Sequence, residues 1–155
     1  MNTIGSFTIQ REVTKGSFGT IFSGVHTRLG IPVAIKKRIP QSQDDKKHKE
    51  FFVHEAKILS LLTHAFLPVF YDYIENSIGE YLIFRWVEGD TLEQLVQKNG
   101  AIKENHVCWI LDRILDGLSF AHYKGVIHCD LNPKNIIVCP NRHEATPIDF
   151  GLAIE

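Results

Sequence analysis

The feature that most narrows what this chain can become is a change of texture near residue 88. Before it, apolar residues come in short β-branched and aromatic runs broken by glycine turns; after it, they recur at helical spacing. Phe7, Ile9 and Val13 precede a glycine turn, and Ile21, Phe22 and Val25 follow it. Arg28-Leu29-Gly30 turns into a third strand, Val33 to Ile39. Pro40 to Lys47 is polar and reads as a loop, after which Phe51, Phe52, Glu55, Ile58, Leu59 and Leu62 share one helical face. Val69 to Ile74 and Tyr81 to Val87 flank Asn76-Ser77-Ile78-Gly79-Glu80, a hairpin turn. The expectation is an α+β chain with a sheet-rich part, 1–87, and a helix-rich part, 88–155.

In the second part, Asp90 or Thr91 can cap a short helix with Glu93 or Gln94 as capping-box partner and Gly100 as its stop. Val107, Ile110, Leu111, Ile114, Leu115, Leu118 and Ala121 then mark a longer helix ended by Gly125. Val126-Ile127, Ile136-Ile137-Val138 and Ile148 are short apolar runs between polar loops. With 17 Lys+Arg against 18 Asp+Glu, a net charge of −1 offers no bulk attraction to nucleic acid or to an anionic membrane. No apolar run approaches the roughly 20 residues of a membrane helix, and no basic, then apolar leader opens the chain, so a cytoplasmic setting is expected. Cys108, Cys129 and Cys139 are odd in number and lack CxxC spacing, which predicts buried thiols rather than disulfides or zinc.

Three constellations carry chemistry. Gly16-Ser17-Phe18-Gly19 lies between two strands, so it is neither a dinucleotide fingerprint nor a GxxxxGK[ST] loop; it is a plain β-turn or a hairpin able to lay its backbone over a polyphosphate. Lys36 closes Val33-Ala34-Ile35-Lys36 on a strand, sharing a face with Ala34. Glu55 sits on the apolar face of its helix, where a carboxylate needs a cation, and Lys36 is the candidate. His128-Cys129-Asp130-Leu131-Asn132-Pro133-Lys134-Asn135, followed by Asp149-Phe150-Gly151, gathers acids and amides suited to a Mg²⁺ site and a hydroxyl-orienting base.

Taken in order, these motifs resemble the eukaryotic-type protein kinases, most closely the Ser/Thr group, over essentially the whole chain. The resemblance implies a kinase-like fold: an N-terminal antiparallel lobe with one helix, then the first part of a helical C-terminal lobe, since the chain ends at Glu155. It implies that Gly16, Ser17, Phe18 and Gly19 cover the phosphates of ATP, that Val13, Ile21 and Ala34 roof the adenine, and that Lys36, paired with Glu55, holds the phosphates. It further implies Phe84 as gatekeeper, Arg85, Trp86 and Val87 as hinge, Ile137 as pocket floor, Asp130 as catalytic base, and Asn135 and Asp149 as Mg²⁺ ligands. Leu59, Phe70, His128 and Phe150 resemble the apolar spine of active kinases.

This chain also departs from the family pattern. Thr14 stands where a first glycine is usual. Cys129 replaces the Arg that in many relatives binds a phosphorylated activation loop. Asn132 replaces the Lys that in Ser/Thr kinases contacts the transferred phosphate, with Lys134 as a neighbouring substitute, while Pro133 keeps the Ser/Thr pattern. Three functions follow: a kinase core transferring the ATP γ-phosphate to protein Ser/Thr hydroxyls; a shortened nucleotide-binding or kinase-inhibiting module that self-associates or pairs with a full-length kinase through uncovered surface; or a small-molecule phosphotransferase. ATP and Mg²⁺ are the implied cofactors, and the protein substrate is left unnamed.

Overall fold

A computed structural model describes residues 3–16, 19–40 and 45–155. The chain forms two compact units, one of the described residues up to Ala56 with Phe70–Trp86, the other of Lys57–Val69 with Val87–Glu155. The second unit thus takes up 57–69 from inside the stretch that reads, by sequence, as part of 1–87.

The first unit is a six-stranded antiparallel sheet: β1 (Thr3–Ile4), β2 (Phe7–Lys15), β3 (Gly19–His26), β4 (Pro32–Arg38), β5 (Phe70–Asn76) and β6 (Gly79–Arg85), in the order β1-β2-β3-β4-β6-β5. The period of two sorts its faces. Val33 and Ile35 of β4 join Ile4, Phe7, Tyr81 and Ile83 in one buried cluster, each fully buried Ile or Val contributing about 1.5–3 kcal/mol. Ala34 and Lys36 point the other way. That side of the sheet packs Leu82, Phe70, Tyr73 and Phe84 with Phe52 and Ala56 of helix α1 (Asp45–Leu61).

Helix α1 starts two residues before the end of the loop expected over Pro40–Lys47. Asp45 lies in its first turn, where a carboxylate suits the exposed N–H groups, and the Arg38 guanidinium holds that carboxylate at 2.5 Å. Arg38 also donates to Glu80, which is only 5% exposed and accepts further from Lys49 at 3.0 Å and the Tyr73 hydroxyl at 3.2 Å. Three donors around one buried carboxylate tie the end of β4, β6 and the second turn of α1 together. Burial, with Glu80 and Glu75 nearby, pushes the Tyr73 phenol up to about 12. At the β5–β6 turn, Asn76 Oδ1 accepts the N–H groups of Ile78 and Gly79 at 2.8 and 3.1 Å, the local hydrogen bonding that makes Asn a turn former.

The second unit has strands β7 (Asp90–Thr91), β8 (Ile136–Cys139) and β9 (Glu144–Pro147), and helices α2 (Leu92–Asn99) and α3 (Glu104–Tyr123). Thr91 caps α2 in a reciprocal box with Gln94, and Gly100 ends it at φ 76°. The buried face of α3, Ile110, Ile114 and Leu118, packs on Ile136, Val138 and Ala145. Gly117 brings 57–69 into this unit: a Cβ there would lie 3.1 Å from Leu67 Cδ2 and from the Phe66 carbonyl. Cys139 is buried, but Cys108 and Cys129 are exposed, because Cys108 faces outward from α3 and Cys129 lies on a loop. Among the described residues no helix is long and apolar enough to cross a membrane.

Gly89 is the position least able to accept a side chain. Its φ is +126°, and a Cβ would meet the Val138 carbonyl oxygen at 2.2 Å. Gly89→Ala is therefore expected to destabilise the second unit by about 3 kcal/mol or more, against about 1 kcal/mol for Gly100→Ala, whose Cβ would meet nothing within 4 Å. Urea titrations of both variants check this; equal effects would remove steric contact as the cause.

Candidate functional site

On the first unit, Lys36 stands on β4 opposite Ile21 of β3 and Leu82 of β6. It is 8% exposed, and its Nζ donates to both Glu55 oxygens, at 2.9 and 2.8 Å; Glu55 is 3% exposed. The bidentate geometry fixes the ammonium at the sheet face and compensates a carboxylate that burial alone would not tolerate. The β2–β3 turn closes with Gly16 N–H donating to the Gly19 carbonyl at 2.9 Å. A Cβ on Gly19 would lie 2.9 Å from the Lys37 carbonyl, so glycine lets β3 press against β4 beside Lys36. Ser17 and Phe18 lie outside the described residues. Ile21 and Ala34 are half-buried and Val13 is exposed. Phe84 pairs across the ladder with Ala34, its ring edge-on to Phe70 at 5.9 Å. Arg85 pairs with Val33, and Trp86 N–H donates to the Pro32 carbonyl at 3.4 Å.

The second unit holds the other candidates. Val87 is half-buried, and Ile137 of β8 pairs with Thr91 and Thr146. The β8–β9 register sets Ile136 opposite Pro147, and one step further Ile148 N–H donates to the Asn135 carbonyl at 2.8 Å. This hairpin brings Asn135 beside the segment that carries Asp149. Cys129 and Asp149 both have positive φ, 61° and 65°, a conformation that strains non-glycine residues and gathers at functional sites. Around Cys129, Asp130 N–H donates back to the His128 carbonyl at 2.9 Å, a γ-turn that turns the Asp130 side chain back over its own loop. There the Asn135 amide donates to Asp130 Oδ2 at 2.8 Å and the Asn132 amide to Oδ1 at 3.1 Å. Sequence reasoning marked Asn132 only as a departure; its contact with Asp130 has no signal in the residue string beyond an amide at that spacing. The Lys134 ammonium lies 3.9 Å from Glu93 of α2, on a largely exposed side chain.

His128 is buried against Phe150, ring centroids 4.5 Å apart, and Phe150 is fully buried. Because Nδ1 accepts from Asp130 N–H, the ring proton is assigned to Nε2, which donates to the Ile148 carbonyl at 3.1 Å. Burial holds this imidazole below the usual histidine range, outweighing the opposite pull of the Ile148 carbonyl, Asp149 and Asp130. Above the unfolded value of about 6.5 the ring is neutral in both states; below it the unfolded chain takes up the proton first. Stability is therefore expected to fall as pH drops below about 6.5 and to level off once pH passes under the folded value. His128→Phe should flatten that part of a Tm-against-pH curve; parallel curves for the two proteins would remove His128 as its source.

Among the described residues no group of three or more His, Cys, Asp or Glu side chains could hold a metal by itself. The donors present are hard oxygens. Since Asn135 spends its amide nitrogen on Asp130, its Oδ1 is the ligand atom it has to offer, alongside the Asp149 carboxylate. Two such donors fit Mg²⁺, which takes its remaining positions from phosphate and water.

Residues 7–155 match the protein kinase domain family. The chain is 30% identical over 154 residues to serine/threonine-protein kinase PknA of Mycobacterium tuberculosis, covering 96% of this chain and 36% of that protein. It is 35% identical over 143 residues to serine/threonine-protein kinase B of a Synechocystis species, covering 88% of this chain and 25% of the relative. PknL of M. tuberculosis is 29% identical over 146 residues, with 94% and 36% covered. The chain spans about a third or less of the length of these curated relatives. With the family matched over nearly its whole length, and the lysine–glutamate pair and the Asp130 loop both formed, the chain belongs to the protein kinase family.

Proposed function

We propose that this chain carries the nucleotide-binding and phosphoryl-transfer residues of a Ser/Thr protein kinase, with ATP as donor and Mg²⁺ as its counter-ion. The observation that carries the reading is the buried, bidentate Lys36–Glu55 pair, an ammonium held in place on a sheet face beside a glycine turn. In the first unit Lys36 and the backbone at Gly16 and Gly19 receive the phosphates. Val13, Ile21 and Ala34 lie against the adenine, with Phe84 and the Arg85–Trp86 backbone at its edge; the kinase resemblance gives Val87 and Ile137 adenine roles as well. Asp130 orients the substrate hydroxyl and accepts its proton as the new P–O bond forms and the γ-phosphorus bond to the bridging oxygen breaks. Asn135 and Asp149 hold Mg²⁺, which when bound neutralises phosphate charge.

Mg²⁺-dependent ATP binding tests this first. Mg-ATP is expected to raise Tm in wild type and to lose that effect in Asp149→Asn. If wild type shows no shift at millimolar Mg-ATP, the nucleotide assignment fails. Transfer of labelled γ-phosphate to a generic Ser/Thr substrate then separates a kinase from a binding module.

A second reading, association with another copy or with a full-length kinase, is favoured by apolar surface on the second unit. Val107, Leu111 and Leu115 form an exposed stripe on α3, and Ile127, Leu131, Leu152 and Ile154 are exposed as well. A concentration-independent monomer mass in light scattering would remove it.

A further inference from the structure

Each oxygen of the Asp130 carboxylate has its own amide donor, Asn132 Nδ2 at 3.1 Å to Oδ1 and Asn135 Nδ2 at 2.8 Å to Oδ2. The same two amides converge on the Asp130 carbonyl, at 3.1 and 3.0 Å. Asn132 does this while its own Oδ1 accepts Lys134 N–H at 3.0 Å and opens the short 3-10 turn Pro133–Asn135. One planar amide is thereby held at its oxygen by the turn and at its nitrogen by Asp130.

We infer that Asn132 is a positioning residue for Asp130: with Asn135 it forms a neutral clasp that sets the plane of the carboxylate. This rests on the phosphotransfer reading of Asp130. A carboxylate bonded at one oxygen can still swing about its last side-chain torsion; bonded at both, it cannot turn without breaking a bond. Each oxygen keeps a second lone-pair direction for a substrate hydroxyl, because a carboxylate offers about four acceptor sites. The clasp adds no positive charge next to Asp130, and Lys134 does not supply one, its ammonium lying by Glu93. Orientation is worth much at such a position: a displacement of about 1 Å can lower the rate about 10²-fold.

Two substitutions separate the clasp from the turn. Asn132→Ser and Asn132→Asp both keep an oxygen to cap Lys134 N–H, but serine is too short to reach the carboxylate and aspartate replaces the donor with a second acceptor. For Asn132→Ser the expected result is a kcat lowered about 10- to 100-fold with KM for ATP within about twofold and Tm near wild type. Asn132→Asp should lose at least as much. A wild-type kcat in Asn132→Ser overturns the inference, as does a loss of kcat that tracks a fall in Tm. The Asn132 side-chain amide protons give a readout free of activity. Donated to a carboxylate, they should resonate downfield at neutral pH and move upfield in Asp130→Asn. An inactive wild type would overturn the phosphotransfer reading; a displaced Asn132 resonance would then still support the clasp, and an unmoved one would overturn it.

Discussion

Lys36→Met is expected to lower the stability of the first unit by about 3–5 kcal/mol, the range for removing one partner of a buried ion pair. The Glu55 carboxylate stays in its buried position and loses the two hydrogen bonds from the ammonium that help to offset its desolvation. Glu55→Gln should cost less, because an amide oxygen still accepts one hydrogen bond from Lys36. The double variant Lys36→Met/Glu55→Leu separates stability from function. Two apolar side chains of similar volume should recover most of the lost stability, as replaced buried ion pairs do. Nucleotide binding should not return, since no ammonium is restored. Chemical denaturation of the four proteins, with Mg-ATP thermal shifts alongside, checks the set. A single variant within about 1 kcal/mol of wild type would show that the pair contributes little here.

The largest expected effect on turnover is at Asp130. In Asp130→Asn, one of the two carboxylate oxygens becomes an N–H₂ group that must face the amide donor of Asn132 or of Asn135. The clasp then loses a bond on one side, and no carboxylate is left to orient a hydroxyl. kcat should fall about 10²–10⁴-fold, the usual contribution of a positioned general base, while Mg-ATP still raises Tm. Asp130→Ala should show a similar loss of kcat and a lower Tm, because both amides lose their carboxylate acceptors and keep only the backbone carbonyl of residue 130. Steady-state kinetics beside thermal shifts read both quantities. Retention of more than about a tenth of wild-type kcat in Asp130→Asn would take the base role away from this residue.

How much of this could be read from the residues depends on the kind of signal. Strands marked by Ile, Val and Phe alternation, the Asn76 turn, the Thr91–Gln94 box and the Gly100 stop are local, because a few adjacent side chains decide them. The partnership of Lys36 with Glu55 was legible for a different reason, since a carboxylate on an apolar helix face has few places to find a cation. The two-residue strands β1 and β7 escaped, since two residues carry no period and are held by their neighbours in the ladder. The start of α1 at Asp45 depends on Arg38, and the burial of Glu80 on Arg38, Lys49 and Tyr73. These are long-range polar contacts among residues that each look like ordinary surface charge. The Asn132 contact was hidden for the same reason: an asparagine before a proline reads as a turn former, and its second bond depends on the γ-turn at Cys129.

The order of the sheet has a consequence for the emerging chain. β6 sits between β4 and β5, although β5 precedes it in sequence. Until Gly79–Arg85 has left the ribosome, one edge of β4 stays open, and β5 has no partner within the sheet. Once made, β6 pairs with strands on both its sides, Val33 facing Arg85 and Phe70 facing Phe84. Nascent chains arrested before residue 79 emerges from the ribosome should expose an apolar edge and be bound by chaperones or aggregate, and chains arrested once residue 86 has emerged should be protected at β4. An interior strand of this sheet is thus its last to arrive, and the vulnerable interval in the protein's synthesis is the time taken to make it.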